Sequence, residues 1–273
     1  MKDFQILLQN QALALVTGPD KDSILQGLVT ADVSRIRDGE LVYSCLLTPQ
    51  GKFLDDFFLF QHPQGIALEA PKARLAEIAK RLQMYKLKAQ VALAPMQPQL
   101  AIWVSSQKPA KADFAFQDPR HAALGWRVYG AAPTELRGSE ADYQALRTQL
   151  GVPDASLDLV RGQSTLFDNG MDRIGAIAWE KGCYMGQEIT ARMKYRGLKK
   201  WDLLPLRTLD QPATVGEPIL QDEKEVGHIT SVADQRAMAR VRMDAMTSGE
   251  LVESDPLRLA SGAFEWIPLD YMR

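Results

Sequence analysis

The chain has 273 residues, 46% hydrophobic and 24% charged, the make-up of a globular protein rather than a disordered one. A net charge of −2 argues against bulk attraction to nucleic acid, and two cysteines with three scattered histidines exclude a disulfide framework and a four-cysteine metal site, so no metal ligand set is expected. No apolar run approaches the roughly 18 residues that span a bilayer, and the start, MKDFQILLQNQ, does not read as a secretory signal, so the expected location is the cytoplasm.

FQILL and ALALV read as a strand pair closed by Gly18-Pro19. Asp20 is placed to cap a helix through Ser23, Ile24, Leu25 and Leu28. LVYSCLLTPQGKFLDDFFLF reads as a hairpin about Pro49-Gln50-Gly51, with GIALEA as a third strand. Residues 71–88 carry the clearest helical period, with Leu75, Ile78, Ala79, Leu82 and Tyr85 on one face. QVALAP, LAIWVSS and GWRVYG are short strands, and 105–120 is a polar stretch. Ser139 and Asp142 resemble a capping box opening a helix with Tyr143, Leu146 and Leu150, ended by Gly151 and Pro153. Residues 153–178 read as loop-rich, with one short strand at IGAIAW. From Trp201 onward WDLLPL, EPILQ, EVGHITSV, AMARVRM, LRLA and FEWIPL predict a small antiparallel barrel, with a domain boundary near 198–202.

The common nucleotide, zinc-protease and serine-hydrolase motifs are missing. The densest signal runs from Trp179 through Lys181, Gly182, Cys183, Tyr184 and Gly186 to Glu188. A helix beginning near Gly186, with Ile189 and Met193 facing inward and Gly197 at its end, would set Cys183 just before unpaired amides that favour a thiolate. Lys181 would act the same way if its amine is close. The alternative is a buried cysteine serving as a small hydrophobe, the reading taken for Cys45. Next, RMKYRGLKK (192–200) has five basic residues in nine, no acid and one tyrosine. It suits phosphates, carboxylates or RNA, or else a solvated helix face with Glu188 and Arg192 paired. In GKFLDDF, strand alternation sends Asp55 and Asp56 to opposite faces. One of them can orient or protonate an amine in a cavity; the alternative is an ordinary acid beside a turn.

KGCYMGQE (181–188) with the basic run after it resembles the signature K-G-C-Y-x-G-Q-E of the YgfZ family of folate-binding proteins. LQGLVTADV (25–33) and LLTPQGKFLDDF (46–57) resemble the two N-terminal blocks of that family, shared with the glycine-cleavage T-protein, an aminomethyltransferase. The resemblance covers nearly the whole chain. It implies an α+β fold, with mixed α/β subdomains of the aminomethyltransferase type around a central channel and a C-terminal antiparallel β-barrel. Residues 1–200 would form a folate-binding region of two subdomains (roughly 1–90 with 180–200, and 91–179), and 201–273 the barrel.

The resemblance further implies tetrahydrofolate as cofactor and iron–sulfur client enzymes as partners, including those that thiomethylate tRNA; direct tRNA binding and membrane association are not expected. Cys183 matches the signature cysteine, and Asp56 matches the catalytic aspartate of the T-protein. Lys181, Tyr184, Gln187 and Glu188 match the rest of the signature. Trp179, Tyr184 and Tyr195 could supply a slot for the pterin, and Arg192, Lys194 or Arg196 a partner for the anionic glutamate tail. T-proteins carry R-L-E-A-G where this chain has Arg147-Thr148-Gln149-Leu150-Gly151. Gln149 lacks the charge of a carboxylate contact to pterin, so folate is expected to be held differently or more weakly. The leading reading is an accessory protein for iron–sulfur clusters acting through Cys183, weakly catalytic at most. An aminomethyltransferase-like one-carbon transferase using tetrahydrofolate and Asp56 is the alternative, and an RNA module built on 192–200 ranks last.

Overall fold

In the computed structural model, which describes residues 3–246 and 257–269, the chain falls into two units, residues 1–140 with 175–187 and residues 141–174 with 188–273. The first opens with β1 (Gln5–Leu7), β2 (Gln11–Thr17) and α1 (Lys21–Leu28). The expected hairpin follows as β3 (Val42–Leu47) and β4 (Phe53–His62), its turn closed by Gly51 at φ 71°. Then come β5 (Gly65–Pro71), α2 (Leu75–Tyr85), β6 (Ala92–Pro95), β7 (Ala101–Ser105), β8 (Phe114–Gln117) and β9 (Trp126–Gly130). They make two antiparallel sheets, ordered β3-β4-β5-β2-β6 and β1-β7-β9-β8.

The near-continuous apolar run of β4 reflects burial on both of its faces, since alternate residues point to opposite sides. Phe57 and Leu59 join Leu25, Ile36, Leu68, Ile78 and Leu82 in the core under α1 and α2. On the other face Phe60 meets the rings of Tyr129, Phe114 and Phe116 from the second sheet at 4.4, 5.1 and 5.3 Å. Each such side chain contributes on the order of 1.5–3 kcal/mol.

Several expectations need correction. β1 and β2 are not a pair: β1 bonds to β7, and β2 lies between β5 and β6. Asp20 precedes α1 but makes no capping bond; its carboxylate accepts from the Gln90 backbone N–H at 2.7 Å. Pro71 ends β5 rather than opening α2. The polar stretch 105–120 contains β8, which pairs with β9. IGAIAW forms no strand; its backbone is used instead in contacts described below.

The second unit contains α3 (Glu140–Gln149), α4 (Ala155–Asp158) and α5 (Gln187–Tyr195), the first residue of α3 and of α5 belonging to the first unit. Arg147, buried on α3, pairs with Asp158 at 3.0 Å and donates to Val152 O and to Ser231 Oγ. Gly151 closes α3 at φ +65°, where a Cβ would stand 2.2 Å from the Leu269 side chain. In α5 the buried residue is Thr190; Ile189 and Met193, expected to face inward, are half-buried.

All six expected barrel runs are strands: β10 (Trp201–Thr208), β11 (Pro218–Gln221), β12 (Lys224–Ala233), β13 (Arg236–Arg242), then β14 (Arg258–Leu259) and β15 (Phe264–Trp266) after the short α6 (Met243–Met246). They form one antiparallel sheet, ordered β14-β11-β12-β13-β10-β15. Leu206, Ile219, Val226, Ile229, Ala237 and Ala239 fill its interior. No helix among the described residues is long and apolar enough to cross a membrane.

Candidate functional site

Two short segments far apart in sequence lock together in the first unit, and Cys183 projects from the result. Residues 27–31, at the end of α1, present carbonyls to residues 176–185. Met185 N–H donates to Gly27 O at 3.0 Å, and Ala178 N–H to Thr30 O at 2.9 Å. Between them the Lys181 ammonium donates to Val29 O at 2.8 Å and Ala31 O at 2.7 Å. Thr30 Oγ1 donates back to Ala176 O at 2.6 Å and accepts from Cys45 N–H at 2.9 Å. Gly186 seats the loop at φ +78°, where a Cβ would lie 2.7 Å from Thr48 O, so only glycine fits. Gly182 and Cys183, inside this clamp, are exposed, while Tyr184 beside them is buried.

The ammonium of Lys181 lies 5.2 Å from the centre of the Tyr184 ring, a cation–π contact. Burial pulls the Lys181 amine down to about 8, against the opposing charge of Asp32. Gln187 N–H donates to Tyr184 O at 3.2 Å, and Tyr184 N–H to Gln187 Oε1 at 3.3 Å, closing the turn into α5. Cys183 therefore stands four residues before Gln187, the first residue of α5. Cys45 is the opposite case. It is fully buried, and burial first, then the charge of Asp56, pushes its thiol well above the usual range.

A second cluster sits on β3 and β4. As alternation requires, Asp55 and Asp56 diverge. Asp55 is buried and accepts from Arg74 Nε at 2.7 Å. Asp56 is half-buried and accepts from the Tyr43 hydroxyl at 2.8 Å. The Arg120 guanidinium lies over the rings of Tyr43 and Phe58 at 5.4 and 4.9 Å and pairs with Asp118 at 2.7 Å. Beneath, Glu69 is paired with Arg127 and accepts from the Tyr129 hydroxyl at 2.7 Å. An accessible carboxylate with one phenolic donor, backed by buried ion pairs, can take up or orient a protonated amine. The sequence pointed to Asp56 but missed Tyr43, Arg120 and the Glu69–Arg127 pair. Their partners lie tens of residues away, and no local spacing marks them.

Of the expected site residues, the first unit thus holds Asp56, Trp179, Lys181, Cys183, Tyr184 and Gln187. Trp179 is half-buried. The second unit holds Gln149, Glu188, Arg192 and Arg196, all exposed, with the two arginines one turn apart at the end of α5.

Residues 203–269 match the family model described as the C-terminal β-barrel domain of CAF17. The chain is 28% identical over 265 residues to an iron–sulfur cluster assembly factor IBA57 homologue, mitochondrial, of Pyricularia oryzae, covering 89% of this chain and 67% of that one. It is 28% identical over 233 residues to the iron–sulfur cluster assembly factor IBA57, mitochondrial, of Mus musculus, covering 73% and 65%. For the Homo sapiens protein of that name the figures are 28% over 244 residues, 77% and 67%. The chain spans about two thirds of the length of these curated relatives. Among solved structures, the glycine cleavage system aminomethyltransferase T of Bartonella henselae superposes with a TM-score of 0.77 at 15% identity, covering 98% of this chain and 85% of that one. At that identity the likeness is one of fold: the chain has an aminomethyltransferase-like α+β fold with a C-terminal antiparallel barrel.

Proposed function

We propose that this protein is an accessory factor in the assembly or repair of iron–sulfur clusters, acting on client proteins through Cys183. The observation that carries the reading is an exposed thiol on a loop clamped on both sides by long-range hydrogen bonds. Such a loop presents a sulfur to a partner at little entropic cost, because its backbone is ordered before the partner arrives. The names of the relatives support the cluster-assembly half of the reading. The KGCYMGQE signature supports the finer half: a YgfZ-type factor whose clients include tRNA-thiomethylating enzymes.

We also infer that the protein binds tetrahydrofolate. The residues fit one end of that ligand better than the other. In the second unit Arg192 and Arg196 are exposed cations of the kind the glutamate tail needs, whereas in the first unit Tyr184 is buried and only the half-buried Trp179 has ring surface to offer a pterin. Gln149 offers an amide where a pterin is best met by a carboxylate. Bound folate would supply a reduced pterin; the groups of the chain itself would hold and orient it.

Complementation of a strain lacking its own cluster-assembly factor of this type tests the first reading, with the activity of an iron–sulfur enzyme as readout. Cys183→Ala is expected to abolish rescue while keeping the thermal midpoint, and Cys45→Ala to retain rescue. Full rescue by Cys183→Ala would defeat the proposal. Calorimetry with tetrahydrofolate tests the second, and no heat of binding at saturating ligand would end it. The half-exposed Asp56 with its Tyr43 donor favours a one-carbon transferase as the other reading. It requires turnover of an aminomethyl donor that Asp56→Asn removes.

A further inference from the structure

The basic run leads into the rim of the barrel, where the second unit has a cleft that the reading above leaves unassigned. Lys199, Lys200 and Trp201, at the start of β10, face Arg242, Met243 and Asp244, at the end of β13 and the start of α6, across a cavity of about 500 Å³. Its walls are fixed by backbone contacts. Trp201 and Arg242 are register partners, and Met243 N–H donates to Lys200 O at 2.9 Å. Asp168 accepts from the backbone N–H groups of Lys200 and Trp201 at 3.0 and 3.3 Å. The Arg240 guanidinium lies 4.3 Å from the centre of the Trp201 ring and steadies the indole, which is half-buried.

The charges are unevenly committed. Lys199 is paired with Asp202 at 2.9 Å, and Arg242 is gripped by the Asp244 carboxylate. Lys200 is exposed and makes no ion pair among the described residues. Among the described residues the lining itself sets three cations against one carboxylate, with Asp202 and Asp168 bonded behind it and Lys200 the cation left outside an ion pair. A guanidinium pinned by a carboxylate keeps further N–H groups aimed in a fixed direction, and a lysine adds a mobile charge; together they suit a phosphate. The half-buried indole adds a flat surface for a base.

We propose that this cleft binds a nucleotide phosphate, with the attached base lying against Trp201. The nucleotide comes either free or as part of a single-stranded RNA. The proposal is independent of the role of Cys183. Its size suits one base with its phosphate. An acidic protein segment would satisfy the cations but leave the aromatic surface without a matching plane.

The test titrates the full chain with a fluorescent ADP analogue and, separately, with a labelled oligouridine of about twelve nucleotides, at about 50 and about 200 mM salt. Saturable binding of at least one probe is expected. Lys200→Glu should weaken it about tenfold while leaving the thermal midpoint unchanged, because the side chain is exposed. Trp201→Leu should weaken it about tenfold and Trp201→Phe far less, the signature of stacking. Binding of ADP alone identifies a free-nucleotide site; binding of the oligomer with a steep salt response identifies RNA. Binding of neither probe overturns the proposal, as does binding indifferent to both Lys200→Glu and Trp201→Leu. Displacement by tetrahydrofolate or by a polyglutamate peptide would also overturn it, by giving the cleft to a different ligand.

Discussion

Replacing Lys181 by methionine should loosen the loop that carries Cys183 without unfolding the sheets beneath it. Methionine keeps most of the apolar stem but removes both hydrogen bonds, to Val29 O and Ala31 O, and the charge over Tyr184. Bonds from a charged donor contribute about 1.5–3 kcal/mol each, and an exposed cation–π contact about 0.5–1 kcal/mol. Against that stands the cost of partly burying an ammonium, which shows in the fall of its pKa from 10.5 to about 8. Because the group is partly solvated, water replaces some of what is lost, and a net loss of about 2 kcal/mol is reasonable. At roughly 1.4 kcal/mol per factor of ten, the loop should open about thirtyfold more often. Amide hydrogen exchange reads this directly. The N–H groups of Ala178 and Met185, bonded to Thr30 O and Gly27 O, should lose about thirtyfold in protection. Amides pairing β2 with β5 should not change. Unaltered protection at Ala178 and Met185 would refute the clamp, and a loss spread evenly over β2 and β5 would mean that Lys181 supports the whole unit.

In the native protein a thiol reagent near neutral pH should label Cys183 and leave Cys45 untouched until denaturant is added; equal labelling of both would contradict their opposite environments. Glu69→Gln removes the nearer carboxylate from the buried Arg127 guanidinium and leaves it Asp118 at 3.7 Å, so it should cost about 3 kcal/mol in urea unfolding, the low end for breaking a buried pair, with much of the loss recovered when Arg127 is also replaced by Met. A change below about 1 kcal/mol would show the pair to be solvated. Acid should weaken the first unit through Asp118. Burial alone would raise its carboxyl, but Arg120 and then Arg127 more than offset this and hold it below 3.8. The unfolded chain thus binds the proton more readily than the folded one. The stabilisation is complete above the unfolded value and is lost as pH falls through the lower folded value. Thermal midpoints measured from pH 6 downward should fall at the acid end, and Asp118→Asn should flatten that limb; an identical acid limb in the variant would remove Asp118 from the account.

The resemblance of LQGLVTADV and KGCYMGQE to blocks of one family acquires a physical meaning in the structure. They are the two halves of a single clamp, joined by bonds between residues 150 and 152 apart in sequence. Each block is legible by itself because its residue types are unusual together. That they meet is not legible, because no periodicity or spacing within either block encodes a partner. The same limit explains the expectation that Ile189 and Met193 would point inward: a nine-residue helix carries too few apolar positions to define a face without its neighbours.

The amino-acid sequence alone determined the elements whose signal is local. These are the β3–β4 hairpin with Gly51 in its turn, the apolar face of α2, the six barrel strands and the turn at Gly186 ahead of α5. Alternation, helical period and positive φ act within a few residues, so a few residues suffice to read them. Tertiary structure decided the rest: that β1 leaves β2 for a different sheet, that 114–117 forms a strand, that IGAIAW stays irregular and spends its backbone groups on Thr30, and that Asp56 meets Tyr43. Those outcomes depend on which distant donor, acceptor or ring is available when buried polar groups must be satisfied and apolar faces covered, and that choice is made by the whole fold.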